Sequence, residues 1–466
     1  MVKDSVGTFI TQGILLVIML CVSVIINRSI GADGRGEMTK LVLMPQILWV
    51  FCTVGVDLMN VYYAGKQKDN LSRLVSNSIW LGLGFGFISI LLVTGIYVSL
   101  CGSFPQIDKL LGDVPSHLYF LMLLTVPFFL IGHFIESIIY GLDKILITNL
   151  KRITTQIAYL LFVLIVVTDP DSLIPFLKVP FGFGQNLGLR GITYGHIMMT
   201  VFMAVTSLIL ISFFIKWKLF SIDLEYFTKG LKSIGFYAFG AATATFLFFK
   251  VAVMVITYYI AYTGIVSDAD LGRYSQATQI IEKVLIIPGS IAFALLPKVT
   301  SKSPEDVKIL TAKSARHTLL LTLVSMGVLS IFIRPVFLAL YGEDFVDACY
   351  PFWALAPGII FYAVGRIFGT NLLGTGKVFY AFYFSIFTLI LNLVLNILWV
   401  PKWGITGSAY ATSLAYIIHT MMFYWAINRE SKIPFRELLV FKKEDWEVYS
   451  RGFIGIFSKG KDQNGA

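Results

Sequence analysis

The chain has 466 residues, 57% of them hydrophobic and 14% charged, with a mean hydropathy of +0.79 and a formal net charge of +10. A soluble domain carries about 25% charged residues, so the composition excludes a soluble globular protein and points to one embedded in a membrane. Its apolar runs are solid rather than alternating over about ten residues, which excludes a β-barrel and leaves an all-α polytopic protein.

Twelve runs are long enough to cross a hydrocarbon core of about 30 Å. They fall near 8–28, 41–64, 77–100, 118–141, 151–168, 191–215, 234–262, 274–297, 317–337, 350–373, 379–400 and 404–428. The first run is too long for a signal-peptide core and no small-residue cleavage site follows it, so it is expected to be retained. The second contains Asp57 and Asn60. The fourth contains His133 and Glu136, three residues apart on one helical face, a spacing that allows a shared proton or a structural hydrogen bond.

The longest outside loop, Asp169 to Arg190, is rich in Gly and Pro and too short for a domain. The seventh run reads FLFFKVAVMVITYY from Phe246 to Tyr259, with Lys250 as its one charge. Thr243, Lys250 and Thr257 are spaced by seven and share a helical face, with Tyr258 beside it. The eighth run holds Gln279, Glu282 and Lys283, and the tenth holds Arg366. Residues 431–466 form a tail of mixed charge whose Phe435, Leu438, Leu439, Phe441 and Trp446 suit an amphipathic helix on the cytoplasmic leaflet; the final SKGKDQNGA reads as disordered.

Lys and Arg concentrate in cytoplasmic loops of membrane proteins. With the N-terminus inside, the cytoplasmic segments hold 25 basic residues and the opposite side nine, among them Arg28, Arg35 and Lys40. Both termini are therefore expected in the cytoplasm. The same bias accounts for most of the net charge without a nucleic acid partner, and no basic run with interleaved aromatics suggests one.

Cys21, Cys52, Cys101 and Cys349 have no CxxC spacing and read as packing residues, with an approach of Cys101 to Cys349 as the other reading. The five histidines form no paired motif, so no metal and no cofactor is expected. No GxSxG, P-loop or paired-carboxylate constellation appears, which argues against a membrane polymerase or acyltransferase.

The chain repeats itself. IGADGRGEMTK (Ile30–Lys40), linking spans one and two, matches DADLGRYSQAT (Asp268–Thr278), linking spans seven and eight, with Gly36 on Gly272 at an offset of 236. YGLDK, ending at Lys144, matches LGTGK, ending at Lys377; LGLRGITYG matches WGITGSAYA, with Gly188 and Gly191 on Gly404 and Gly407. Two six-helix halves enter the membrane in the same sense, so they are expected to be related by an axis along the membrane normal. The domains are then residues 1–229 (first lobe), 230–430 (second lobe) and the tail.

RSIGADGRGEM, LGRYSQA, LYGEDFVDACYPFWALAP, LLGTGK and NLVLNILWVPKWGITGSAYAT together resemble the polysaccharide-export branch of the MOP flippase superfamily, and within it Wzx-type O-antigen or oligosaccharide-unit flippases. The resemblance runs to about Asn428. It implies two six-helix lobes around a central cationic cavity. It also implies transfer of an undecaprenyl-pyrophosphate-linked oligosaccharide from the inner to the outer leaflet of the bacterial inner membrane, coupled to an ion gradient, with polysaccharide polymerase or export machinery as further partners. In the family's peptidoglycan-precursor relatives, arginines of the first lobe form part of the substrate site; Arg28 and Arg35 lie in the corresponding region. MATE-like multidrug or cation exporters share the plan and are the alternative reading, but organic cations favour an acidic cavity.

A lysine at the centre of a span costs about 2.5–3.5 kcal/mol on insertion scales, so Lys250 is expected to face a cavity or a partner, with Thr243 and Thr257 on the same stripe. Lys283 and Arg366 are open to two readings, as substrate ligands or as members of helix-joining pairs. Asp57, Glu136 and Glu282 are the candidates for ion coupling. Replacing Lys250 with Ala is expected to reduce surface-glycan export while membrane insertion stays intact, and Lys250→Arg is expected to keep part of the function. Quantitative glycan blots at native expression check both.

Overall fold

The computed structural model describes residues 2–66, 70–103, 114–167, 187–221, 223, 228, 236–439 and 445. The helices are α1 (Val2–Thr53), α2 (Val56–Lys66), α3 (Leu71–Ser103), α4 (Ser116–Leu123), α5 (Thr125–Gly141), α6 (Ile145–Val167) and α7 (Gly188–Phe214). They continue with α8 (Phe236–Tyr262), α9 (Asp268–Lys283), α10 (Ile286–Ser301), α11 (Pro304–Tyr341), α12 (Cys349–Gly374), α13 (Val378–Ser431) and the short α14 (Phe435–Leu439). No strand occurs among the described residues.

Among the described residues, ten helical segments are long and apolar enough to cross a membrane. Two of them are too long for one crossing: at 1.5 Å per residue α1 and α13 would extend about 78 and 81 Å. Each is bent by one glycine in a left-handed conformation, Gly31 (φ 66°) and Gly404 (φ 56°), where a side chain would be strained. Each therefore counts as two crossings, which gives twelve spans in all in a multi-pass, all-α membrane protein.

The links between spans one and two and between seven and eight are helical: residues 32–40 continue α1, and 268–278 open α9. Ser267 caps α9 reciprocally with Asp270. Both segments stay helical because they pack against each other. The extensive contacts between the two halves run through α1, above all against α9. A Cβ on Gly36 would lie 2.0 Å from the Asp268 carbonyl oxygen, and one on Gly272 would lie 2.0 Å from that of Ala32. Lipid offers no hydrophobic drive for helix association, so close backbone approach and polar pairs hold such a seam.

Those pairs run along its length. Ser23 donates to Gln279 (3.0 Å), Asn27 to Gln276 (2.8 Å) and Thr39 Oγ1 to Ser275 Oγ (3.0 Å), and the Lys40 ammonium meets Asp268 at 2.6 Å. Arg28 reaches from α1 to the carbonyls of Ala339 and Leu340 at the end of α11.

The repeat is visible in the backbone. Gly188 and Gly404, matched in sequence, both have positive φ at the start of the sixth and twelfth spans. Three residues later Gly191 and Gly407 press against the carbonyls of Val166 and Trp399 of the preceding span. Lys144 and Lys377 close equivalent turns by donating their amides to Ile139 and Leu372.

Each lobe also has polar ties inside its apolar core. In the first, Asn60 donates to Ser78 and to the Phe134 carbonyl, and Glu136 is held by both Lys151 and Arg152, with the Lys151 and Glu136 side chains at 2% and 7% exposure. In the second, Asn392 donates to the Phe248 carbonyl, and Asn396 and Thr412 donate to the Asn392 oxygen.

The first part of the tail, expected on the leaflet surface, is instead docked on the second lobe. Arg316 of α11 grips both oxygens of Asp445 (2.6 and 3.1 Å) and the Glu437 carbonyl (2.6 Å), while Ile433 and Leu438 are buried. A bidentate guanidinium–carboxylate pair is directional and strong enough to fix that register. Phe441, Trp446, the terminal SKGKDQNGA, Cys101 and the loop from Asp169 to Gln185 lie outside the described residues or side chains.

Gly36→Val is expected to lower the melting temperature of the detergent-purified protein by several degrees, from about 1–3 kcal/mol of overpacking. Gly95→Val, where nothing lies within 4 Å, should leave it unchanged. Glu136→Gln should cost about 3–5 kcal/mol by stranding the buried Lys151. The double variant Glu136→Gln/Lys151→Met should recover much of that loss in the same thermal melt.

Candidate functional site: a cationic chamber between the lobes

Below the glycine crossing, α1, α8 and α9 diverge and enclose a chamber of about 230 Å³. Arg35, Thr39 and Gln46 line it from α1, Lys250 from α8, and Ser275, Thr278, Gln279, Glu282 and Lys283 from α9. The spacing follows from helix geometry: Ser275, Thr278, Gln279 and Glu282 recur at three, four and seven residues and make one polar stripe. On α1 the same rule aligns Arg35, Thr39, Val42 and Gln46.

Three cations, Arg35, Lys250 and Lys283, face one carboxylate, Glu282, for a formal balance of +2. Arg35 is 7% exposed, and its guanidinium has no acidic partner among the described residues. It reaches Ser275 Oγ at 3.4 Å and Met38 Sδ at 3.5 Å, and its Nε has no acceptor. A buried guanidinium without a counter-charge is costly unless an anion arrives to meet it. Lys250 is half-buried, with its ammonium 5.8 Å from the Phe246 ring.

A second, mostly apolar cleft of about 320 Å³ adjoins the chamber. It is bounded by Leu16, Met19 and Leu20 of α1 and by Leu329 and Val336 of α11. It shares Gln279 and Lys283 with the chamber, so the polar and apolar spaces meet at those two residues.

The structure brings Lys250, Lys283, Arg35 and Glu282 together, although three of them come from the second lobe and one from the first. The other sequence candidates stand elsewhere. Thr243 and Thr257 are buried and do not line the chamber; Thr257 donates to the Val253 carbonyl of its own helix (2.8 Å). Arg28 is exposed and bonded to the end of α11. Arg366 bonds to the Leu285 carbonyl (3.1 Å), where α9 gives way to α10. Asp57 pairs with His133 at 3.5 Å, and Glu136 with Lys151 and Arg152. Ser275, Thr278, Thr39 and Gln46 are not among the sequence candidates: Thr39 falls in the link between spans one and two, and Gln46, Ser275 and Thr278 are uncharged residues near the starts of spans two and eight; the polar spacing of three and four residues is the available signal.

The family model described as "Lipid II flippase MurJ" matches residues 194–450, more than half of the chain. The chain is 23% identical over 168 residues to "Probable low-salt glycan biosynthesis flippase Agl15" of Haloferax volcanii, covering 35% of this chain and 36% of that protein. It is 25% identical over 174 residues to "Capsular polysaccharide biosynthesis protein CapF" of Staphylococcus aureus, covering 35% and 44%. The matches thus span less than half the length of these curated relatives. The fold superposes on the solved structure "Lipid II flippase MurJ, inward closed conformation" with a TM-score of 0.67 and 16% identity, over 98% of this chain and 97% of that one. With a two-lobe fold, a chamber between the lobes and a family match that spans the whole second lobe and more than half of the chain, the chain belongs to the MurJ family of the MOP flippase superfamily.

Proposed function

We propose that the protein is a flippase for lipid-linked glycans, carrying an oligosaccharide on a polyprenyl pyrophosphate between leaflets of the bacterial inner membrane, with both termini in the cytoplasm. The observation that carries this reading is the chamber's excess of positive charge, above all the buried Arg35 with no carboxylate partner. A pyrophosphate sheds hydration on entering the membrane, and guanidinium and ammonium donors replace it with charge-assisted hydrogen bonds. The apolar cleft at Gln279 and Lys283 suits the polyprenyl chain, leaving the headgroup in the chamber.

In this reading the structure is the state closed at the glycine crossing and the Lys40–Asp268 pair. Transport requires that seam to part while contacts form at the opposite end, as in lobes that rock about a central site. Of the coupling candidates, Glu282 is the one within reach of the substrate cations. Protonating or neutralising it raises the chamber's balance from +2 to +3 and tightens its hold on an anion; ionising it favours release. A MATE-like exporter of organic cations would share the fold, but a chamber with three cations and one carboxylate repels such a substrate. An O-antigen unit is the glycan we favour.

Expression in a strain lacking its O-unit flippase tests the function. The wild-type chain is expected to restore surface glycan, and Arg35→Ala is expected to lower the restored amount about tenfold or more at equal membrane abundance. Failure of the wild-type chain to restore any surface glycan in strains dependent on O-antigen, capsule or peptidoglycan-precursor flippases would overturn the proposal.

A further inference from the structure

Beyond the chamber, the first lobe carries a row of rings that ends in a carboxylate. Trp49 follows Gln46 by three residues on the chamber-lining face of α1. Its indole stacks on Phe129 of α5, with centroids 4.2 Å apart and planes at 15°. Phe129 stacks on His133 (5.5 Å, 13°), and His133 Nε2 meets Asp57 Oδ2 at 3.5 Å. The His133 and Asp57 side chains are 34% and 30% exposed, so the row's polar end lies open. The Trp49 indole N–H has no acceptor among the described residues, and a buried donor left without one is a cost that native structures seldom carry without a use for it. Glu136, one turn along α5 from His133, is fully engaged by Lys151 and Arg152 and leaves His133 to Asp57.

We propose that this row is a glycan subsite that receives sugar units beyond the pyrophosphate. A pyranose ring has a face of polarised C–H bonds and a rim of hydroxyl donors. The C–H face matches the negative π surface at an end of the stack, the inner faces being taken by the neighbouring rings, and a carboxylate accepts the hydroxyls in charge-assisted hydrogen bonds, with His133 orienting Asp57. Placement agrees: Trp49 is 14 residues from Arg35, about 21 Å along the helix axis, so a pyrophosphate held at Arg35 leaves the row to the oligosaccharide. The subsite rests on the reading of the chamber as a site for a lipid-linked glycan.

The test uses full-length protein in nanodiscs and two probes, undecaprenyl pyrophosphate and the same carrier bearing a tri-N-acetylchitotriose chain. Wild type is expected to bind the glycosylated carrier about tenfold more tightly than the bare one, the increment of one or two good ring contacts. Trp49→Ala and Asp57→Asn should each remove most of that increment while binding of the bare carrier stays within about twofold. Asp57→Asn, which preserves shape, carries the test if Trp49→Ala does not fold. Equal wild-type affinity for the two carriers overturns the subsite, as does an equal loss for both carriers in the variants. Tight binding of tetraphenylphosphonium that disappears in Asp57→Asn would also overturn it, in favour of a cation site. Failure of wild type to bind either carrier is the separable result that overturns the proposed function instead.

Discussion

Two helix backbones in direct contact set the geometry of the whole molecule. Where α1 crosses α9, the distance between them leaves no room for a Cβ on Gly36 or Gly272. The lobes meet along this seam and separate beyond it, because α2 to α7 have no extensive contact with the second lobe. The chamber is the space that such a crossing leaves when two helices that touch at one end splay toward the other. A larger residue at either glycine would move every chamber-lining side chain on the two helices relative to its neighbours across the gap.

That arrangement also explains how ionisable residues persist in so apolar a chain. The polar groups divide into those satisfied within a lobe and those turned toward the gap. Glu136, Lys151 and Arg152 neutralise one another inside the first lobe, and the Asn392–Asn396–Thr412 network is closed by hydrogen bonds inside the second. Arg35, Lys250 and Lys283 are held instead around a shared space with one carboxylate between them. The first group ties the helices of each lobe to one another; the second gives the space between the lobes a sign.

Much of this was legible in the sequence, and the misses have physical causes. The twelve crossings followed from hydropathy, and the repeat from three short matches whose residues adopt equivalent turns. Lys250 was conspicuous because nothing else in its span is charged, and Glu282 and Lys283 because they interrupt an apolar run. Ser275 and Thr278 escaped because small uncharged side chains at the head of a span barely mark a hydropathy profile, and Thr39 because a stretch of small and polar residues between two spans looks like a loop when the surface it packs against comes from more than 200 residues away. The docking of the tail on Arg316 was hidden for the same reason: Asp445 is 129 residues from its partner. Pairing across long separations leaves no periodic trace in the chain.

The seam has one further property. Adding 236 to Ala32, Gly36 and Thr39 gives Asp268, Gly272 and Ser275, and the contacts obey that relation: Gly36 meets Asp268, Gly272 meets Ala32, and Thr39 meets Ser275. Residue i touching the counterpart of j, while j touches the counterpart of i, is the signature of an isologous interface between identical subunits. The crossing therefore has the form of a two-fold contact between like halves, carried within one chain. The two halves differ at that contact: Lys40 faces Asp268, whose counterpart in the first half is the uncharged Ala32, while the counterpart of Lys40 is the uncharged Gln276.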